Sequence, residues 1–185
     1  MKKVTMILSH PNLSQSNANI IIAEELKRLE NIEVRHIDTL YPDGKVDVET
    51  EQKILLESDL IVFQFPLFWY NIPASLKNWI DSVFSYGFAF GSTGDKLKGK
   101  DLQVSATIGG AEDTYSPEGQ NKYTIDTLFT HFKAIAHLTG LNYLQPINSH
   151  GMVYIPDVYN TLEGVREKAK KHAERLINFI TDYIK

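Results

Sequence analysis

The run Leu60-Ile61-Val62-Phe63-Gln64-Phe65 constrains this chain more than any other segment. All but Gln64 is apolar, so a strand here has to be covered on both faces, as the inner strands of parallel sheets are. The rest of the chain supplies partners and cover. Val4–Leu8 reads as a second short buried strand. Ile32–Ile37 alternates Ile32, Val34 and His36 with Glu33 and Arg35 and reads as a third. Leu102–Ile108 and Leu141 to about Met152 read as two more. Between the strands, helical spacing covers Asn19–Leu29, Val48–Glu57, Pro73–Phe84, Asn121–Leu138 and Thr161–Ile184. Pro73 stands in a first turn, where its missing N–H costs nothing. Gly140 is a good C′ residue. The last helix carries an apolar stripe at Leu162, Val165, Ala169, Leu176, Ile180 and Ile184. Tyr41-Pro42-Asp43-Gly44 marks a turn. Such alternation predicts an α/β fold, a doubly wound five-stranded parallel sheet with right-handed crossovers and helices on both faces. No repeat or linker-like stretch interrupts it, so residues 1–185 read as a single domain.

Composition narrows the function classes. The net charge of −4 lacks the basic footprint of a nucleic-acid binder. The sequence has no cysteine, which excludes disulfides, thiolate metal sites and a cysteine nucleophile. Lys2 and Lys3 precede only the short apolar run Val4–Leu8, too short for a signal segment. No window approaches the roughly 20 apolar residues of a membrane span. The expected location is therefore cytoplasmic.

In doubly wound sheets the ligand lies beyond the carboxyl ends of the strands, where strand order switches. Three loops follow from that rule. The first, Ser9-His10-Pro11-Asn12-Leu13-Ser14-Gln15-Ser16-Asn17-Ala18-Asn19, is rich in hydroxyls and amides. Ser16 or Asn17 there caps a helix, or the same free amides take a phosphate. The second, Phe65-Pro66-Leu67-Phe68-Trp69-Tyr70-Asn71-Ile72-Pro73, sets three aromatics side by side between prolines. That is not the spacing of a core face; it suits a flat ring ligand, with a packed aromatic cluster as the alternative. The third, Thr107-Ile108-Gly109-Gly110-Ala111 followed by Tyr115, offers glycines for close approach to a ligand or for positive φ. Their convergence at one end of the sheet points to a planar cofactor with a phosphate tail, a description FMN meets. Neither Gly-x-Gly-x-x-Gly nor Gly-x-x-x-x-Gly-Lys occurs, which disfavours a dinucleotide pyrophosphate site and a P-loop. Ser9-His10 stands where a receiver-type phosphoacceptor needs acidic residues. His36, His131, His137, His150 and His172 show no metal-ligand spacing, so no metal is expected.

At these loops the chain resembles the flavodoxin-like NAD(P)H quinone oxidoreductases. The likeness is nearer to the bacterial branch that holds ancillary subunits of glutathione-regulated potassium efflux systems and general stress proteins. It rests on His10-Pro11, Ser16-Asn17-Ala18-Asn19, Leu40-Tyr41-Pro42-Asp43, Gln64 to Tyr70, Ile72-Pro73, Leu76-Lys77, Trp79-Ile80-Asp81, Val83-Phe84, Gly87-Phe88-Ala89-Phe90-Gly91 and Thr107-Ile108-Gly109-Gly110. The resemblance implies strand order 2-1-3-4-5 and FMN as cofactor, with FAD as the alternative. NADH or NADPH would be the electron donor and a quinone-type small molecule the acceptor, in a ping-pong exchange.

By the same resemblance His10, Ser16, Asn17, Ala18 and Asn19 hold the phosphate and ribityl chain. Pro66, Leu67, Phe68, Trp69 and Tyr70 line the ring, and Thr107, Ile108, Gly109 and Gly110 cover its other flank. It further implies a homodimer in which Phe88 and Phe90 reach the neighbouring subunit's pocket. A potassium efflux transporter is the partner that the bacterial branch implies, with a peripheral position at the inner face of the cell membrane. Two alternatives follow: a regulatory ancillary subunit of such a transporter, or a flavodoxin-type electron carrier. One departure concerns catalysis. The animal branch pairs a tyrosine with a histidine six residues on; Tyr115 matches, but Asn121 takes the histidine's place. Asn does not titrate near neutrality, so Tyr115 as catalytic residue has no proton relay at that position.

Overall fold

The computed structural model describes residues 2–185. Strands β1 (Val4–Leu8), β2 (Ile32–His36), β3 (Leu60–Pro66) and β4 (Asp101–Thr107) form a parallel sheet. The edge next to β4 is completed by two short pieces, β5 (Asn142–Tyr143) and β6 (Ile147–Ser149). The order is β2-β1-β3-β4-β5, with β6 also beside β4. This is the predicted doubly wound arrangement, and its order reverses at β1 and β3.

Every residue of β3 is buried, as its continuous apolar run requires. Its alternate side chains feed two different cores. Phe63 and Phe65 point into an aromatic layer with Trp79, Phe84, Phe129 and Phe132. Leu60 and Val62 point into an aliphatic layer with Met6, Leu8, Ile22, Leu26, Leu176 and Ile180. Helices α1 (Asn19–Leu26) and α7 (Leu162–Tyr183) cover the aliphatic face. On the aromatic face lie α2 (Ile37–Leu40), α3 (Val48–Glu57), α4 (Ala74–Val83), α5 (Ile125–Leu128) and α6 (Thr130–Thr139). Among the described residues no helix is long and apolar enough to cross a membrane.

The predicted elements shift in four places. The helix expected over Asn121–Leu138 begins only at Ile125. Lys122 has φ +62°, outside helical space, and the Thr124 side chain caps the true start by accepting from the Thr127 amide. The same segment breaks at Phe129 into α5 and α6. The fifth strand is not continuous either: Pro146, which has no N–H, falls between β5 and β6. Gln103 Nε2 fills that gap by donating to the Gln145 carbonyl (3.0 Å). Pro73 is the N-cap of α4 rather than a helical residue, with ψ 150°. Phe88, which the resemblance sends to a neighbouring subunit's pocket, packs into the aromatic core of its own chain; Tyr86 is the exposed aromatic of that loop. Gly140 closes α6 in the left-handed region as expected (φ +73°).

Candidate functional site

Strands β1, β3 and β4 end at one side of the sheet, and the three loops that follow them surround a cleft of about 480 Å³. A small-molecule pocket runs to about 300–1,000 Å³, so the cleft suits a ligand of that class.

The first loop is tied to its neighbours by backbone. Ser9 N–H donates to the Gln64 carbonyl (2.9 Å), and His10 N–H donates to Asp38 Oδ2 (2.8 Å). The Asn12 amide donates to His10 Nδ1 (3.2 Å), which leaves the imidazole hydrogen on Nε2. Burial lowers the His10 pKa, against the pull of Asp38, so the ring is a neutral donor at pH 7. Ser16 Oγ accepts from Asn19 N–H (2.9 Å), the cap expected of it, although Ala18 is the residue next to α1. Among the described residues the amides of Asn17 and Ala18 have no protein acceptor. Hydroxyl, imidazole and free amides at a helix start, with no carboxylate in the lining, form a cradle for an anion.

The second loop is a tight reversal. Phe68 and Asn71 exchange both backbone hydrogen bonds (2.9 Å each), and Trp69 and Tyr70 between them sit at φ +46° and +65°. Two aromatic residues in the left-handed region cost about 1–3 kcal/mol each, a strain that the surrounding structure has to impose. It holds Trp69 out at 92% exposure and leaves the Trp69 and Tyr70 amides without a protein acceptor among the described residues. Phe68 lines the cleft and meets the His10 ring edge-on, with centroids 6.1 Å apart. These three aromatics do not form a packed cluster.

The third loop is stitched to the segment after β6. Ile108 N–H donates to the Ser149 carbonyl (2.8 Å), Met152 N–H to the Ile108 carbonyl (2.9 Å) and Gly151 N–H to the Gly110 carbonyl (3.0 Å). Neither Gly109 nor Gly110 has positive φ, so turn geometry is not why they are glycines. A Cβ on Gly110 would stand 3.1 Å from Tyr115 Cε2; the glycine makes room for that ring.

Of the predicted binding residues, His10, Ser16, Asn17, Asn19, Pro66, Leu67, Phe68, Thr107 and Gly109 line the cleft. Ala18, Trp69, Tyr70, Ile108 and Gly110 do not, though all lie on the same loops. Tyr115 also stands outside the lining. Its ring faces His150, with centroids 5.3 Å apart, and burial first, then Tyr70 and Tyr159, raise its pKa. Burial also lowers the His150 pKa. Asn121 does not serve Tyr115; its Oδ1 accepts from the Tyr70 hydroxyl (3.0 Å) and its Nδ2 donates to Thr114 Oγ1 (2.8 Å).

Sequence reasoning missed Asn12 and Gln15 in the lining, and Met152, Val153 and Tyr154, which the segment after β6 brings in. It also missed a buried polar set behind the cleft: Gln64, Ser105 and His172. A signal for these existed, since each falls at a position its strand or helix pattern reserves for apolar residues. No group of three or more His, Asp or Glu among the described residues is placed to hold a metal.

Comparison with known proteins agrees with this geometry. A family model described as Flavodoxin-like fold matches residues 2–173. General stress protein 14 of Bacillus subtilis (strain 168) is 40% identical over 172 residues, which is 93% of this chain and 95% of that protein. The Uncharacterized NAD(P)H oxidoreductase YrkL of the same organism is 36% identical over 178 residues, 96% of this chain and 97% of that protein. A crystal structure of general stress protein 14 from Treponema denticola, in complex with FMN, superposes with TM-score 0.88 at 29% identity, covering 97% of this chain and 98% of that one.

Proposed function

The chain belongs to the flavodoxin-like fold family, and from that premise we propose that it is an FMN-dependent NAD(P)H oxidoreductase that reduces quinone-type acceptors. One observation carries the reading. A carboxylate-free cleft is lined by His10, Ser16 and Asn17 at one wall and by Phe68 at the other, and just beyond the lining the amides of Ala18, Trp69 and Tyr70 have no protein acceptor among the described residues. The first set fits a phosphate tail and the second fits the polar edge of a flat ring, the two ends of FMN. A structural relative that carries FMN and another named as an NAD(P)H oxidoreductase support the same choice.

FMN, when bound, supplies two-electron hydride chemistry between a nicotinamide and an acceptor. The protein supplies position. His10 and the amides of Asn17 and Ala18 would anchor the anion by charge-dipole and hydrogen-bond contact. The Phe68–Asn71 reversal leaves the Trp69 and Tyr70 amides free among the described residues, and these would hold the polar edge of the ring. Tyr115, kept protonated at neutral pH, is a hydrogen-bond donor that orients the acceptor and does not act as a base. The large apolar side chains exposed around the cleft (Phe68, Trp69, Tyr70, Val153, Ile155 and Val158) support a homodimer that covers them.

The test is anaerobic mixing of the FMN-loaded protein with NADH and with NADPH. Bleaching of the flavin by at least one nucleotide, with recovery on adding a quinone, is expected; no bleaching by either sinks the reading.

A further inference from the structure

An unbroken chain of hydrogen bonds runs between the sheet and its α1/α7 cover. It starts at Arg175 on the outside of α7 and ends at the wall of the cleft. Arg175 Nη2 meets Ser149 Oγ (2.7 Å) and the Asn148 carbonyl (2.7 Å). Ser149 Oγ meets His172 Nδ1 (2.9 Å), and His172 Nε2 meets Ser105 Oγ (2.8 Å). Ser105 meets Gln64 Oε1 (2.6 Å), Gln64 Nε2 meets Asn19 Oδ1 (3.0 Å), and Asn19 Nδ2 meets Thr107 Oγ1 (2.9 Å) and Ser16 Oγ (3.4 Å). Asn19, Gln64, Ser105, Thr107 and His172 are all buried.

The chain has a direction, set by the Gln64 and Asn19 amides and matched by Arg175. A guanidinium only donates. Ser105 gives its hydrogen to Gln64 and so accepts from His172 Nε2, which leaves Nδ1 to accept from Ser149, whose oxygen takes the Arg175 donor. The imidazole is neutral, since burial first and Arg175 second push its pKa down to about 3. A neutral ring that accepts at Nδ1 carries its hydrogen on Nε2 and donates to Ser105. Ser105 then donates to Gln64, Gln64 to Asn19, and Asn19 to Thr107 and Ser16. At the far end both hydroxyl oxygens are already acceptors, and neither hydroxyl hydrogen has a protein acceptor among the described residues. Both residues line the cleft, so both hydrogens are left for its occupant. Every member except Arg175 could run the other way, by hydroxyl rotation, tautomer change or amide flip. In that reversed arrangement Thr107 and Ser16 would donate inward to Asn19, and the cleft would face their lone pairs.

We propose that Arg175 and His172 are positioning residues for the cofactor cleft: they fix the direction of this chain so that Ser16 and Thr107 present hydrogens, not lone pairs, to an oxygen-rich anionic ligand. The proposal rests on the FMN reading for the ligand but not for the wiring, and the two are tested separately. Arg175 is exposed, so its variants are expected to fold. Arg175→Lys keeps a donor; Arg175→Glu supplies an acceptor and reverses the chain. Lys171→Glu, one turn earlier on α7 and outside the chain, makes the same charge reversal.

The wiring is read by nitrogen NMR of His172. The Nε2–H tautomer is expected in the wild type and Arg175→Lys, and the Nδ1–H tautomer in Arg175→Glu; Nδ1–H in the wild type overturns the proposal. Its consequence is read by titrating the apoproteins with FMN. Arg175→Glu is expected to weaken binding about tenfold, the size of one charge-assisted hydrogen bond, with Arg175→Lys and Lys171→Glu within about twofold of wild type. Equal losses in Arg175→Glu and Lys171→Glu would reduce the effect to long-range charge and overturn it. If the wild type binds no FMN, the functional reading falls while the tautomer result still decides the wiring.

Discussion

Two buried polar networks lie on opposite faces of the same sheet, and they are built from different materials. On the aromatic face Glu51, fully buried, accepts from the Arg35 guanidinium, the Tyr41 hydroxyl and the Trp79 indole N–H. On the aliphatic face Asn19, Gln64, Ser105 and His172 pass neutral hydrogen bonds from one to the next. The charged network converges on the Glu51 carboxylate, with Arg35 also reaching Glu33 at the surface, and none of these side chains lines the cleft. The neutral network is open and ends in the cleft wall. A buried charge has to be fully paired where it stands, so charge locks a position. Neutral amides and hydroxyls have two arrangements each, so they can transmit an orientation. The comparison therefore assigns stability to the first network and site geometry to the second.

The largest test of that division is Glu51→Ala. It takes the buried carboxylate from the Arg35 guanidinium, whose side chain is 12% exposed and keeps only Glu33 (2.7 Å), and it leaves the Tyr41 hydroxyl and the Trp79 indole N–H without their acceptor. Removing one partner of a buried pair costs about 3–5 kcal/mol, which chemical denaturation measures directly. FMN affinity of the folded fraction should stay at the wild-type value. A variant of unchanged stability that no longer binds FMN would break the comparison.

The aromatic network also shows how far the sequence could be read. The motif Leu40-Tyr41-Pro42-Asp43 is visible as a turn, and the turn forms, with Gly44 N–H donating to the Tyr41 carbonyl (2.9 Å). What the Tyr41 hydroxyl does was not visible, because its partner Glu51 reads as one more polar residue of an amphipathic helix. The strands were legible because burial on two faces imposes a continuous apolar run. The three loops were legible because ligand sites follow strand ends. The segment Met152–Tyr154 was not, since it reaches the cleft only through backbone pairing with Ile108 and carries no motif of its own. His172 completes the buried stripe Val165, Ala169, Ala173, Leu176 and Ile180, and only its partners, 23 and 67 residues away, show why an imidazole stands there.

The neutral network makes its own prediction, smaller and dependent on pH. In the unfolded chain His172 takes a proton near pH 6.5, in the folded protein only near pH 3. Between those values the unfolded state binds the extra proton. Its stability contribution is intact above about pH 6.5 and declines as pH falls, by about 1.4 kcal/mol per pH unit. Denaturation midpoints measured from pH 7 to pH 4 should show this slope in the wild type and lose it in His172→Leu. A wild type whose acid sensitivity matches that of His172→Leu would mean the imidazole is not held neutral, and the direction of the chain would lose its basis.

The finest comparison deletes one hydroxyl from each network. Tyr41→Phe and Thr107→Val both remove a single hydrogen-bonding oxygen and nearly preserve shape. Each should cost about 0.5–1.5 kcal/mol of stability, since one buried donor or acceptor is left without its partner. Their effects on the cleft should differ. With Tyr41→Phe, Glu51 keeps Arg35 and Trp79, and nothing at the cleft moves. With Thr107→Val, the Asn19 amide loses its 2.9 Å acceptor and the cleft loses a hydroxyl hydrogen. FMN binding should therefore weaken several-fold in Thr107→Val alone, a change the size of one neutral hydrogen bond. Equal FMN affinities in the two variants would show that the neutral network, like the charged one, only holds the fold together.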